Sequence, residues 1–280
     1  MNVGSSRGIR GAVAAFDLPK DSGCIVGRDE LISIATVRSM AGEPLLGVQA
    51  LPSSRPRIGK HATRSAAEDR ALTTLLLLRE QSRPSSPLMP YIRTFLDGAA
   101  DVVPAAWDEE RLQALSPELV ARARSIRKTL AQSYADLVPA AIDALPDVLS
   151  EGLQQGQSLA DVYSLERFTQ LCVALRSRDF VNTLQESSAE PGLDRGQPFP
   201  AAFLVPLLDL MNHASDNNVR VTYDLKRHGF VMRVLRPVQR GEELTISYGS
   251  TLCRQHAMSM YGFGDDLLPC TSSTGSRQVM

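Results

Sequence analysis

The chain has 280 residues, with 30 basic against 31 acidic side chains and 43% hydrophobic residues. That length buries about three quarters of the surface exposed on unfolding. The near-zero net charge argues against general nucleic-acid binding and gives no support for a polybasic membrane patch. Cys24, Cys172, Cys253 and Cys270 are scattered without a C-x-x-C pair, and the four histidines are equally dispersed. Such spacing points away from a disulfide framework and from a structural metal.

Residues 1–16 carry Ser5, Ser6, Arg7 and Arg10 and no acid before Asp17. This suits an organellar transit peptide, and it suits equally the lead into a folded strand. Short apolar pieces at 11–15 and 30–37, bounded by Pro19, Gly23, Gly27, Gly42 and Pro44, predict strands. The stretch between Lys20 and Glu30 reads as a long turn, and the Pro/Ser/Arg-rich residues 52–59 as a loop.

The middle of the chain predicts helices. Residues 66–80 carry Leu72, Leu75, Leu76 and Leu78, with charges only near the ends. Ser116-Pro117-Glu118 reads as an N-cap followed by proline at the first helical position. Leu119, Ala123, Ile126, Leu130, Tyr134 and Leu137 then form an apolar stripe about five turns long. A further helix near Ser164 places Leu165, Phe168, Cys172 and Leu175 on one face. All three faces read as core packing.

From Phe203 the period returns to two. The longest apolar run, 201–208, is broken by Pro206 and falls far short of the ~18 residues a membrane span needs. Val219, Val221, Tyr223 and Leu225 alternate with polar residues, then Phe230, Met232 and Val234 answer after Arg227-His228-Gly229. That pattern predicts an antiparallel hairpin. A turn at 239–241 leads into a last strand at 243–248. Strands, helices, then strands predict an α+β fold with a helical insertion.

A buried-looking strand at 204–208 runs straight into Asp209, Asn212 and His213. Polar groups there must find partners, because an unsatisfied buried donor or acceptor costs ~1–3 kcal/mol. Taken alone, the segment fits a capping aspartate and a satisfied core histidine as well as it fits a site. Downstream lie Ser247-Tyr248-Gly249 and Tyr261-Gly262-Phe263, and upstream lies Ser177-Arg178-Asp179-Phe180.

These motifs, in this order after the start at Arg10-Gly11, resemble the SET-domain protein methyltransferases of the branch similar to the Rubisco large-subunit lysine methyltransferase. The resemblance runs over about residues 7–264. It implies a SET domain, with small β-sheets and a knot-like threaded segment, interrupted by a helical insertion. Residues 1–50 and 165–264 would form the two parts of the core, 51–164 the insertion and 265–280 a loose tail. The resemblance implies a protein-lysine N-methyltransferase with S-adenosylmethionine as cofactor and no metal. It assigns Arg10, Gly11, Arg178, Asn212, His213 and Tyr261 to the cofactor and Tyr248 to the transferred methyl group. Ser177, Phe180, Asp209 and Tyr223 fall at positions that line a lysine channel. A histidine-methylating relative carries a polar amide where Phe180 stands, so Phe180 favours lysine. Histidine methylation and a catalytically weak SET-fold binding module are the alternatives.

The expected partner is a lysine-bearing protein, with no direct nucleic acid and no membrane, and the expected state is a monomer. The expected compartment is intracellular, cytoplasmic or nuclear, with a plastid left open. The chain stops seventeen residues after Phe263, whereas relatives continue into a helical domain that holds the substrate. Loss of that domain or an incomplete chain is therefore expected.

Overall fold

A computed structural model of the chain describes residues 2–4, 11–27, 30–32, 66–96, 98–184, 199–224, 226–249 and 252–264. Three small sheets are built from strands at both ends of the chain. In the first, β1 (Asn2–Gly4) pairs with β2 (Gly11–Val13), β2 with β9 (Glu243–Ile246), and β9 in parallel with β6 (Asn212–His213). The second orders β3 (Gly23–Val26), β8 (Gly229–Val234) and β7 (Val219–Asp224), all antiparallel. The third is the pair β4 (Phe180–Leu184) and β5 (Phe199–Phe203).

Between them run the helices: α1 (Ala66–Ser82), α2 (Met89–Leu96), α3 (Glu109–Leu112), α4 (Pro117–Ala144), α5 (Pro146–Ser150), α6 (Leu159–Val162) and α7 (Leu165–Arg176). A last helix, α8 (Arg254–Tyr261), follows the sheets. In α1 every residue from Ala71 to Glu80 is buried, the pattern of a helix enclosed on all sides. Its buried end is held by charge: Glu80 accepts from Arg79 at 3.0 Å and Arg83 at 3.1 Å, and Ser86 donates to it at 2.6 Å.

The Ser116 cap forms as the sequence predicts, and Ser164 caps the helix expected near it. The Ser116 side chain accepts from the Leu119 N–H, and Ser164 from the Arg167 N–H. Helix α4 extends beyond the predicted stripe, through Pro139 to Ala144, because Val138 and Ala141 are fully buried there. Leu165 departs from expectation: it is the first helical residue of α7 and is 42% exposed.

Two hydrophobic cores result. Leu72, Leu75, Leu76, Leu77, Ile126, Leu130 and Phe168 fill the helical one. Ala12, Val205, Met211, Phe230, Met232 and Leu244 fill the sheet one. The wall between them is an isolated bridge, Ile32 to Leu204, with backbone hydrogen bonds of 3.0 and 2.9 Å. Ile32 and Leu204 face the helical core, while their neighbours Leu31 and Phe203 face the sheet core. Successive residues of an extended chain point to opposite sides, so one bridge serves both.

The hairpin at 219–234 lies where the alternation predicts it. Asp224 already pairs with Gly229, so the turn starts earlier and is wider than Arg227-His228-Gly229 suggested; the Asp224 carboxylate accepts from the Lys226 and Arg227 N–H groups. The expected long turn after Lys20 holds strand β3 instead. The last strand ends at Ile246 rather than Tyr248, because the Tyr248 N–H turns to the His213 ring. Of the strand expected at 30–37 only Glu30, Leu31 and Ile32 are described, with Ile32 in a bridge; the rest, and the loop at 52–59, lie outside the described residues. Cys253 is disulfide-bonded, contrary to the reading from spacing, while Cys24 and Cys172 are free. Among the described residues no helix is long and apolar enough to cross a membrane, and no group of three or more His, Cys, Asp or Glu could hold a metal ion.

Candidate active site

The segment after β5 is not the unbroken strand the apolar run suggested. Proline has no N–H to give a ladder, and at Pro206 the chain turns. Leu207, 52% exposed at φ +73°, leads into a single 3-10 turn, Leu208–Leu210. Asp209 lies in that turn and is buried. It is no helix cap: the Tyr91 hydroxyl, from α2, donates to its Oδ2. Its backbone oxygen accepts from Arg178 Nη1 at 3.1 Å. Its Oδ1 has no hydrogen-bond partner among the described residues. Burial pushes the Asp209 carboxyl up to about 7, opposed by the Tyr91 hydrogen bond and the Arg178 charge.

Arg178 stands two residues past the end of α7. Ser177 closes that helix by donating its hydroxyl to the Ala174 carbonyl at 2.8 Å. Asp179, next along, is buried against Arg70 in an ion pair. The turn thereby fixes where the Arg178 guanidinium starts, and Asp209 fixes one of its nitrogens.

Past the 3-10 turn, Asn212 and His213 pair with Thr245 and Ile246. Asn212 Nδ2 donates to Glu243 Oε1 at 2.7 Å. Gly11 is pressed onto that pair: a Cβ there would stand 2.4 Å from Glu243 Oε1 and 2.7 Å from Asn212 Nδ2. Only glycine permits so close an approach. His213 Nδ1 accepts from the Tyr248 N–H at 3.2 Å, which makes Nδ1 the unprotonated ring nitrogen. The Tyr248 hydroxyl donates to the Met211 carbonyl at 2.9 Å, and burial holds the phenol well above its ordinary pKa.

Around Tyr248 gathers one aromatic group. Its ring centroid lies 4.5 Å from Tyr261, 5.4 Å from His213 and 6.3 Å from Phe263. His213 and Phe263 stack at 6.0 Å. Gly262, left-handed at φ +77°, ends α8 and turns Phe263 into this group.

A second aromatic group centres on Phe230. Tyr223, Phe180 and Phe203 stand 5.1, 5.4 and 5.8 Å from it. Phe203 and Phe230 are buried; Phe180 and Tyr223 are half-buried and line the group's open side. Leu208, just before Asp209, and Met211, two residues after it, belong to the same core as Phe203 and Phe230.

The sequence-predicted residues thus fall into three connected places. Asn212 and His213 on β6 meet Gly11 from β2, Tyr248 after β9 and Tyr261 at the end of α8; Phe180 and Tyr223 share the Phe230 group; Arg178 and Asp209 are bonded to each other, with Ser177 adjoining. Arg10 lies outside the described residues. The sequence reading missed Glu243, Tyr91, Phe203 and Phe230 as site neighbours. Phe203 and Phe230 were legible as inward positions of alternating strands. Glu243, beside Glu242 after a turn, reads as an ordinary surface acid. Nothing near Tyr91 links it to a partner 118 residues away.

A family model for the SET domain matches residues 62–249. Among curated relatives, the N-lysine methyltransferase SETD6 of Bos taurus is 27% identical over 210 residues, 74% of this chain and 42% of its own length. The Mus musculus SETD6 is 26% identical over 210 residues, 74% of this chain and 40% of its own. The solved SET domain of LSMT bound to lysine and AdoHcy gives a TM-score of 0.65 at 19% identity, covering 94% of this chain and 52% of that one. The chain therefore spans about half, or less, of the length of the proteins it matches. The family model covers well over half of the chain, and the solved relative repeats its fold: the chain belongs to the SET domain family.

Proposed function

We propose that the chain is an S-adenosylmethionine-dependent protein-lysine N-methyltransferase. The supporting observation is the presence of two aromatic groups beside the Asp209–His213 segment, one around Tyr248 and His213 and one around Phe230, in contact with a common core. The relatives add weight: SETD6 is an N-lysine methyltransferase, and the LSMT structure holds lysine and AdoHcy. In this reading residues 1–50 and 165–264 form the SET core and 51–164 the insertion.

S-adenosylmethionine, when bound, supplies a methyl group carried on a positively charged sulfur. The residues present suit it. Gly11 lies backbone-to-side-chain against Asn212 and Glu243, a cradle that any Cβ would fill. Arg178 offers a planar donor set for a carboxylate, and Tyr261 gives the site an aromatic wall. Asn212 and His213 hold their places through β9 and Tyr248.

Methyl transfer is an in-line displacement, so the protein's main task is alignment. The acceptor must be a neutral amine. Neutralising a lysine of pKa ~10.4 at pH 7 costs ~4.6 kcal/mol. The apolar faces of Phe180, Tyr223 and Phe230 penalise the ammonium and shrink that cost. Tyr248, fixed at its hydroxyl and its backbone, orients the reacting centre. The partner is a protein bearing the lysine, and the near-zero net charge suits a protein better than a nucleic acid.

Calorimetric titration of the chain with S-adenosylmethionine should give saturable one-to-one binding. Mass spectrometry of a methylated cell extract should then find new methyl groups on lysine. Methyl groups on histidine would replace the substrate assignment. No cofactor binding by folded protein would leave a SET-fold binding module.

A further inference from the structure

Where α1, α4, α7 and α8 come together, positive charge exceeds negative. Arg176, the last residue of α7, is half-buried, and its Nε is buried with no hydrogen-bond partner among the described residues. The carboxylate beside it, Asp179, is bonded to Arg70 of α1 instead. Arg122, on the exposed side of α4, brings a third guanidinium and places its Nη2 3.1 Å from His256 Nδ1 on α8. The Tyr261 ring stands 6.5 Å from that imidazole and faces Asp179, Arg70 and Arg176. Glu118, one turn before Arg122, is already engaged and accepts from Gln255 at 2.8 Å. Around Arg176, three guanidinium groups thus meet one carboxylate. Burial, and then the Arg70 charge, lower the pKa of Arg176. A guanidinium N–H shut away from water is costly until an acceptor reaches it.

We propose that Arg122, Arg176 and His256 form a phosphate-binding site, which takes either free phosphate or the phosphate group of a phosphorylated side chain. Three guanidinium groups against one carboxylate leave two positive charges, which match the roughly two negative charges of a phosphate group at pH 7. A single carboxylate ligand would leave one of them uncompensated. The planar guanidinium fork fits two phosphate oxygens at once, and Arg176 Nε supplies one arm of such a fork. The site is reached from solvent past Arg122. Burial, and then the Arg122 and Arg176 charges, hold the His256 imidazole below its ordinary pKa. A bound dianion offsets both arginine charges and attracts the imidazolium, so it raises that pKa. No covalent bond is made or broken, and none of the three residues belongs to the proposed methyl-transfer machinery.

The test is calorimetric titration of the full chain at low salt with inorganic phosphate, with acetate, and with a phosphoserine peptide and its unphosphorylated form. Phosphate should bind saturably at one site per chain, and acetate about tenfold more weakly or less. Arg176→Gln should weaken phosphate binding about tenfold or more, and Arg122→Gln about threefold or more. Arg122 is exposed, so its variant keeps the fold and the test stands even where Arg176→Gln does not fold. An NMR titration of the His256 ring, assigned with His256→Gln, should move up by about one pH unit when phosphate is bound. A phosphopeptide that binds more tightly than inorganic phosphate makes a phosphorylated protein the source, and the reverse order makes it free phosphate. No saturable phosphate binding, acetate bound as tightly, smaller losses in both arginine variants, or an unmoved His256 titration would each overturn the inference. Calorimetry with S-adenosylmethionine tests the methyltransferase reading separately, since neither reading needs the other.

Discussion

Asp209 makes the fold itself sensitive to pH. Its carboxyl is buried, and its titration is pushed up from 3.8 to about 7. The folded state therefore binds the proton more tightly than the unfolded state, so the group's favourable contribution is complete below about pH 4 and is lost as pH rises towards 7. A shift of about three units is worth roughly 4 kcal/mol at 1.36 kcal/mol per unit. Between pH 5 and pH 8 about 2.5 kcal/mol of that disappears. Asp209→Asn keeps an acceptor for the Tyr91 hydroxyl and cannot titrate. Urea unfolding of both proteins at pH 5 and pH 8 isolates the effect: the asparagine variant should lose about 2.5 kcal/mol less than the parent over that interval. All other titrating groups cancel in this difference. Equal losses, within about 0.5 kcal/mol, would show that Asp209 is not held protonated by burial and would refute the reasoning.

Other outcomes follow from the same geometry. Gly11→Ala should force Glu243 off Asn212, cost about 1–3 kcal/mol of stability and weaken S-adenosylmethionine binding about tenfold or more, by calorimetry. Tyr248→Phe removes the bond to the Met211 carbonyl, so denaturant midpoints should register about 1 kcal/mol; turnover should fall ~10²-fold, well beyond what that loss explains. Leu77→Ala, at a wholly buried position of α1, should cost about 2–5 kcal/mol and lower Tm by several degrees.

What the sequence made legible has a physical pattern. The hairpin could be read because Val219, Phe230, Met232 and Val234 bury one face and leave polar residues on the other. Helix α4 could be read because Ser116 and Pro117 mark its start and a stripe marks its side. Strand β3 was hidden: three of its four residues are exposed, so no alternation announces it, and only β8 makes it a strand. The motif residues of the site sit on short local runs, which is why they could be named in advance. What joins them is long-range. Tyr91 meets Asp209 across 118 residues and Arg70 meets Asp179 across 109, and no window of sequence contains both members of either pair.

The pairing of β2 with β9 sets the order in which this protein can be finished. Ala12 lies opposite Leu244, and Cys24 opposite Met232, so beyond the local pairing of β1 with β2 the strands made first wait for their partners until nearly the whole chain has been synthesised. Contacts this distant must close a very long loop before they repay it, which makes folding slow. The helices between them wait less, since even the farthest of their main contacts, α1 against α7, closes within the middle of the chain. During synthesis the helical core can therefore form while β2 and β3 remain open edges, and an open edge invites pairing with another chain. The arrival of β8 and β9 closes those edges and, in the same step, brings Gly11 onto Asn212 and Glu243. Completion of folding and assembly of the site are one event.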